Sequence, residues 1–139
     1  MDRSPTSSRL VIDTNGAGLY EISEEVSHFV IESGHQTGLL TVFCQHTSAS
    51  LTIQENADPD VCRDLNEFFN RLVRESEPWY RHTAEGSDDM PAHIKSALSD
   101  VSLSIPVIDG RLSLGTWQGI YLFEHRKAPH NRSVILYLS

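Results

Sequence analysis

The chain has 139 residues, of which 39% are hydrophobic and 22% charged, and its formal net charge is −8. This length and hydrophobic content predict one domain with a buried core, while the acidic excess argues against nucleic-acid binding, which depends on Lys and Arg at the phosphates. Cys44 and Cys62 lie in apolar patterns that indicate free thiols and a reducing, cytoplasmic setting, and no apolar run is long enough to predict a membrane span.

The first third of the chain predicts a tail, one or two strands and a helix. Residues 1–8 are polar and rich in serine, which is typical of a disordered tail. Residues 9–14 read as a strand, and residues 18–22 as a second strand or the approach to a helix. Ser23 is a candidate N-cap for that helix, and Gly34 ends its apolar periodicity.

The middle of the chain contains the clearest strand and the strongest helix signal. Residues 38–45 are apolar on both faces, which predicts a strand that is central in a sheet or covered on both sides. A shorter strand is expected over residues 51–55. Asp58 caps the next helix, which runs to about Arg74 and is predicted to be the largest contributor to the core.

The last part of the chain predicts a polar loop, a short helix and a series of strands. The loop covers residues 78–91 and is long enough to suggest a functional role. A short helix follows over residues 92–98, and an Asp109-Gly110 turn predicts a hairpin within residues 103–114. Two more strands are expected, at residues 119–125 and 133–138. The sum is a single α+β domain over residues 9–139, with seven or eight mostly antiparallel strands and two or three helices.

Histidines and carboxylates in two polar segments suggest a divalent metal site. Neutral imidazole is a common ligand of transition metals and the usual general base near neutral pH. His46 follows the buried strand and His93 lies in the short helix, so only the fold can bring them together. Asp89 is the third candidate ligand, and either Zn²⁺ or Mg²⁺ is considered as the ion. Each imidazole alone is equally compatible with an ordinary core or surface histidine.

Other polar residues are candidates for catalysis and for binding a phosphorylated small molecule. Glu55 is suited to orient an imidazole or act as a base, and Lys95 to steady an anion, although both also fit solvated side chains. The substrate candidates combine hydroxyls with a stacking face and an amide, at Thr47, Ser48, Ser50, Trp117 and Gln118. The hydroxyls equally fit a turn that closes on its own backbone, and the Trp117 segment fits a tight turn in which the indole packs as a plug.

Three segments in order resemble motifs of the YjbQ family, also called the secondary thiamine-phosphate synthase family. They are His46–Val61, Glu85–Lys95 and Gly115–Ile120, and the resemblance extends from Leu10 onward. It implies antiparallel sheets packed as a sandwich, assembly as a homotrimer and weak thiamine-phosphate synthase activity. It also marks His46, Glu55, His93 and Gln118 as site positions.

These observations lead to one hypothesis and one alternative. The hypothesis is a metal-assisted enzyme acting on phosphorylated small molecules, in which the cation offsets the charge of a diphosphate leaving group. The alternative is a non-catalytic trimeric protein whose motifs form a small-ligand pocket or a subunit interface. Release of diphosphate in a turnover assay separates the two.

Overall fold

Two antiparallel sheets and three helices make up the computed structural model, which describes residues 3–139. The larger sheet has the strand order β1-β8-β3-β5-β6 and the smaller one β2-β7-β4. The strands are β1 (Thr6–Asn15), β2 (Gly18–Glu21), β3 (Thr37–Cys44), β4 (Ala49–Glu55), β5 (Ser102–Ile108), β6 (Arg111–Leu112), β7 (Gln118–Glu124) and β8 (Pro129–Leu138). The helices are α1 (Ser23–Ser33), α2 (Pro59–Leu72) and α3 (Asp89–Leu98). The predicted α+β class with mostly antiparallel strands is confirmed.

The core lies between the two sheets and is closed on one side by α1. Side chains at alternate positions of β3, such as Leu40 and Val42, meet Leu51 of β4 and Leu122 of β7 in one buried cluster. Alternation places every second side chain of a strand on the same face, so each sheet turns one apolar face towards the other. The smaller sheet therefore packs against the larger one, and β4 runs along their junction.

Two predicted local signals are confirmed in the backbone. Gly34 ends α1 in a left-handed conformation with φ of 73°, which glycine adopts without steric cost. Asp109 and Gly110 both have positive φ in the turn between β5 and β6, as a two-residue hairpin requires. Asp58 caps α2 by accepting a hydrogen bond from the Asp60 N–H at 2.9 Å.

Two predictions about the starts of elements in the first third of the chain are wrong. Residues 6–8 are not a disordered tail, because they pair with the end of β8 in strand β1; Met1 and Asp2 lie outside the described residues. Ser23 is not the N-cap of α1, since that position belongs to Ile22 and the Ser23 hydroxyl bonds to Glu21 instead.

The prediction that α2 contributes most to the core is also wrong. No residue of α2 is fully buried, and Phe68 and Leu72 are 58% and 56% exposed. The apolar stripe of α2 packs on the smaller sheet, with Phe69 against Phe123, but its residues remain at least partly exposed. Within residues 3–139, no helix combines the length and hydrophobicity that crossing a membrane requires.

Candidate metal centre

Three potential metal ligands converge at the first turns of α3. His82 Nε2 lies 2.7 Å from Asp89 Oδ2, and His93 Nε2 lies 3.2 Å from the same oxygen. All three ligand atoms lie within 4.8 Å of one another. Zn²⁺ bonds of about 2.0–2.2 Å place neighbouring ligand atoms of a tetrahedron about 3.3 Å apart. Small side-chain adjustments therefore bring the His82–Asp89–His93 cluster around a single ion.

His93 is held in one orientation by the backbone of the loop between β3 and β4. Its ring Nδ1 lies 2.9 Å from the Thr47 carbonyl oxygen. A carbonyl only accepts, so Nδ1 carries the hydrogen and the lone pair of the neutral ring is on Nε2. That lone pair faces Asp89 Oδ2, an arrangement that requires a cation between them, either a proton or a metal ion. Ligating histidines usually donate their other ring nitrogen in this way.

Arg126 fixes the carboxylate of Asp89 from the opposite side. Its Nη1 donates to Asp89 Oδ1 at 2.7 Å, and its Nε donates to Asp88 Oδ2 at 3.1 Å. Burial acts to raise the pKa of Asp89, but the hydrogen bond with His82 and the charges of His93 and Arg126 lower it below its ordinary value. Asp89 is thus a buried, ionised carboxylate with Oδ2 directed at the two imidazoles.

A buried ion pair supports both the Thr47 loop and the segment that carries Arg126. Glu124 accepts hydrogen bonds from Arg132 Nε at 2.7 Å, from Thr14 Oγ1 at 2.6 Å and from the Arg126 N–H at 3.1 Å. Arg132 Nη2 also donates to the Ser48 carbonyl and hydroxyl oxygens, at 3.2 and 3.0 Å. The pair therefore ties β7, β8 and the loop after β3 together beneath the cluster.

His46 lies outside the cluster, although it was predicted to be a metal ligand. Its Nε2 accepts a hydrogen bond from the Ser133 N–H at 2.7 Å, which uses the lone pair that a metal would need. Burial and then the charge of Arg132 lower the pKa of His46, and both favour the neutral, accepting ring. His46 thus joins the end of β3 to β8. The second imidazole of the cluster comes from His82, where the sequence analysis had predicted His46.

The predicted hydroxyl residues near His46 have mainly structural contacts. Thr47 contributes its carbonyl to His93, and Ser48 binds Arg132. Ser50 is fully buried, and its hydroxyl bonds to His125 Nε2 at 2.8 Å and to Ser99 Oγ at 2.6 Å. Ser48 and Ser50 therefore bond side chains of other elements, and not their own backbone as the turn alternative expected.

Glu55, Trp117 and Gln118 lie at the other end of β4 from His93. Glu55 pairs with Gln118 in the ladder, whereas Ala49 at the start of β4 follows the Thr47 loop. The six residue steps from Ala49 to Glu55 in an extended strand span roughly 20 Å. Gln118 Oε1 accepts from the Gly115 N–H at 2.8 Å and closes a tight turn, but Trp117 is 63% exposed and does not plug it. The predicted residues therefore fall into two groups rather than one site.

The sequence analysis did not predict His82 as a ligand or Arg126 as a residue that orients the site. One sequence pattern does point to part of the cluster. Asp89 and His93 are four residues apart, the spacing that places two side chains on one face of a helix. Both residues were named as candidate ligands, but starting the helix at residue 92 instead of Asp89 concealed this spacing. No comparable pattern marks His82, since it belongs to the preceding irregular loop, and Arg126 reaches Asp89 from 37 residues away.

The family model for YjbQ, described as "UPF0047 protein YjbQ-like", matches residues 8–139. The chain belongs to the YjbQ family. It is 57% identical over 130 residues to UPF0047 protein sll1880 of Synechocystis, covering 94% of this chain and 88% of that protein. It is 42% identical over 127 residues to YjbQ of Escherichia coli O157:H7, covering 91% of each. The resemblance seen in the sequence motifs is confirmed.

Solved structures of the YjbQ family share the fold. A crystal structure from Clostridium acetobutylicum, of a protein of the yjbq/upf0047 family, has a TM-score of 0.88 at 36% identity, covering 95% of this chain and 99% of that one. The structure of the conserved hypothetical protein TT1486 from Thermus thermophilus has a TM-score of 0.82 at 39% identity, covering 92% and 97%.

These comparisons overturn the functional hypothesis drawn from the sequence. The YjbQ relatives are described only as UPF0047 proteins, and the related structures as uncharacterized or hypothetical, so none supports a metal-assisted enzyme acting on phosphorylated small molecules or a thiamine-phosphate synthase. That prediction is wrong as a statement of function, and the alternative of a trimeric small-ligand-binding protein has no support in those descriptions either. The separation of Glu55 from His93 also divides the proposed catalytic set.

Proposed function

We propose that this YjbQ-family domain binds a divalent transition-metal ion at the His82–Asp89–His93 cluster. The observation that carries the proposal is the meeting of two imidazole Nε2 atoms on one oxygen of a buried, ionised carboxylate. His93 presents a bare Nε2 to that carboxylate because its Nδ1–H is bound to Thr47, and a metal ion supplies the positive charge between them without protonating the ring. Thr47 and Arg126 provide the outer hydrogen bonds that orient metal ligands in proteins.

The donor set favours Zn²⁺ over Mg²⁺. Two nitrogen ligands and one oxygen suit Zn²⁺ and its transition-metal neighbours, whereas Mg²⁺ takes oxygen ligands and retains several waters. Three protein ligands leave a position for an exchangeable ligand. His82 is exposed, with its side chain 48% accessible, so that position is on the solvent side of the cluster.

Calorimetric titration of Zn²⁺ and Mg²⁺ into chelator-treated protein tests the proposal. We expect one Zn²⁺ per chain, no comparable Mg²⁺ binding, and a large loss of Zn²⁺ affinity in each of His82→Ala, Asp89→Asn and His93→Ala. His28→Ala is the matched control, because His28 is an exposed histidine of α1 beside a carboxylate, Glu32, and should leave the titration unchanged.

Co²⁺ substitution gives a second, independent readout. The cluster contains no thiolate, so bound Co²⁺ should show d–d absorption without the sulfur charge-transfer band of cysteine ligation. Absence of Zn²⁺ binding in the wild type, or wild-type affinity in His93→Ala, contradicts the proposal. In that case the cluster is an ion pair in which a proton lies between His93 and Asp89.

We also infer that copies of the chain associate as a closed cyclic oligomer, and we expect the trimer that the family resemblance implies. Support comes from the outer face of the larger sheet, where register aligns apolar side chains that this chain leaves exposed: Val11, Leu39, Phe43, Ile108 and Tyr137. Such a contiguous apolar face is typical of an interface between subunits. Light scattering should give three times the 15.6 kDa chain mass, reduced by Phe43→Glu and unchanged by Phe68→Glu on α2. A monomer mass for the wild type contradicts the inference.

We also propose that the protein is located in the cytoplasm. Both cysteines are free thiols, Cys44 buried in the core and Cys62 partly buried on α2. Reduced thiols are typical of proteins in the cytosol, where glutathione and thioredoxin keep them so. A fluorescent fusion observed in the native host tests this location.

A further inference from the structure

Both lysines of the chain line one cavity. The cavity has a volume of about 400 Å³ and lies between the end of α2, the buried face of α3 and the segment after β7. Lys95 and Lys127 are the only lysines among 139 residues, and Arg74 joins them in the wall. In a chain with a net charge of −8, this is a marked local concentration of positive charge. Volumes of this order accommodate small organic ligands.

Lys95 is a buried ammonium without an acidic partner. Its side chain is 7% exposed, and its Nζ donates to the neutral amide oxygen of Asn70 at 2.6 Å. Within residues 3–139, no carboxylate oxygen lies within 4.0 Å of that nitrogen. Holding that charge away from water has a desolvation cost. Buried charges are normally paired, so this group is open to an anion.

The acidic residues of the cavity wall are already engaged elsewhere. Glu75 forms an ion pair with Lys127 at 2.6 Å and accepts a hydrogen bond from Ser87. Asp88 pairs with Arg126 and accepts from the backbone N–H of Lys127 at 2.9 Å. The two carboxylates are therefore paired with other groups, and they favour the charge of Lys95 only from a distance, without an ion pair or hydrogen bond to it.

His125 supplies a second open polar group on the same wall. It is 3% exposed, its Nε2 bonds to Ser50, and its Nδ1 has no hydrogen-bond partner in the part of the chain that the structure describes. Burial and the charge of Lys95 lower the pKa of His125 to about 3, so the ring is neutral. A buried nitrogen without a partner in a native fold calls for a ligand or a water.

We propose that this cavity is a binding site for a small oxyanion, either a carboxylate or an inorganic anion, with the Lys95 ammonium as its principal contact and Arg74 at its rim. The site is separate from the His82–Asp89–His93 cluster and needs no metal ion. Asp88 is the residue that connects the two, because it lines the cavity and holds the arginine that orients Asp89.

Selective ¹³C labelling of lysine offers a direct test, since the chain gives only two sets of lysine signals. Chelator-treated protein is titrated with sulfate and, separately, with malonate, and the signals are assigned with Lys127→Arg. We expect saturable shifts of the Lys95 signals at millimolar concentrations. Tighter binding of malonate indicates an organic carboxylate as the natural ligand, and tighter binding of sulfate an inorganic oxyanion.

Variants separate this site from the metal cluster. Lys95→Met replaces the buried charge with a side chain of similar length, and should weaken anion binding in calorimetry by about tenfold or more. Arg111→Met, which removes an exposed charge on β6, should leave it unchanged, as should His93→Ala. The proposal is overturned if neither anion shifts the Lys95 signals of the wild type, or if the shifts do not saturate with anion concentration. This test does not depend on whether Lys95→Met folds. Loss of anion binding in His93→Ala also overturns it, because the anion would then depend on the metal cluster.

Discussion

Arg132 and Glu124 form an ion pair from which water is almost wholly excluded, with side chains 4% and 0% exposed. Removing one partner leaves the other charge buried and unpaired, which typically costs about 3–5 kcal/mol. We therefore expect Arg132→Met to lower the free energy of unfolding by that amount in urea denaturation. Arg71→Met breaks the exposed Arg71–Glu67 pair instead and should cost less than about 1 kcal/mol. Equal losses in the two variants contradict this account.

The ionisation of Glu124 should also make the free energy of unfolding depend on pH. Burial acts to raise its pKa, but hydrogen bonds from Arg132 and Thr14 lower it below the ordinary value of 4.5. The unfolded chain therefore takes up the proton at higher pH than the folded one, so this stability is present above pH 4.5 and is lost as pH falls through the lower, folded pKa. Urea midpoints measured from pH 7 downwards should fall on the acid side. Thr14→Val removes one of these hydrogen bonds and raises the folded pKa, so its fall should be smaller and end at higher pH. An unchanged profile in that variant argues against Glu124 as the source.

The cap of α2 gives a smaller and more local prediction. Asp58 accepts from the Asp60 N–H and satisfies one of the free donors at the start of the helix. Asp58→Ala should lower the free energy of unfolding by about 1 kcal/mol, while Asp58→Ser should retain most of it because a hydroxyl also caps. Thermal unfolding followed by circular dichroism measures both. Similar losses in both variants show that the carboxylate has a further role.

Arg126 should control metal affinity without binding the metal. It holds Asp89 Oδ1 and so directs Oδ2 at the imidazoles. Losing such an outer contact typically costs 10–100-fold in metal affinity. We expect a decrease of about this size for Zn²⁺ in Arg126→Met and a smaller one in Arg126→Lys, which keeps the charge but not the geometry. If Arg126→Met binds Zn²⁺ as tightly as the wild type, the arginine only stabilises the loop and does not influence metal binding.

The sequence predicted the elements well where local chemistry decides them. The Asp109-Gly110 turn and the Asp58 cap depend on residues close in the chain, and both are present. The apolar stripe of α2 was visible too, yet periodicity identifies a face and not what covers it. Phe68 remains exposed because α2 packs one side, which includes Phe69, on the smaller sheet and leaves Phe68 facing solvent.

The candidate site was harder to predict because long-range pairing assembles it. Glu55 and Gln118 share a ladder position, and that register places them far from His93 although Glu55 is only eight residues beyond Thr47 in the chain. His82 enters the cluster through a loop fold that no periodicity encodes. The Asp89 and His93 pair could be predicted from helical spacing. The Thr47 carbonyl that orients His93 could not, because it lies 46 residues away in the chain.

The placement of His82 has a consequence for exchange at the cluster. Asp89 and His93 belong to α3, whereas His82 lies in an irregular, exposed segment that few buried contacts hold. Segments of this kind open at a small fraction of the free energy of global unfolding. Amides of residues 81–87 should therefore exchange with deuterium long before those of β7, which is buried and paired on both sides. An ion at the proposed site would then leave when this segment carries the His82 imidazole away, at a rate set by the opening of the segment and not by global unfolding.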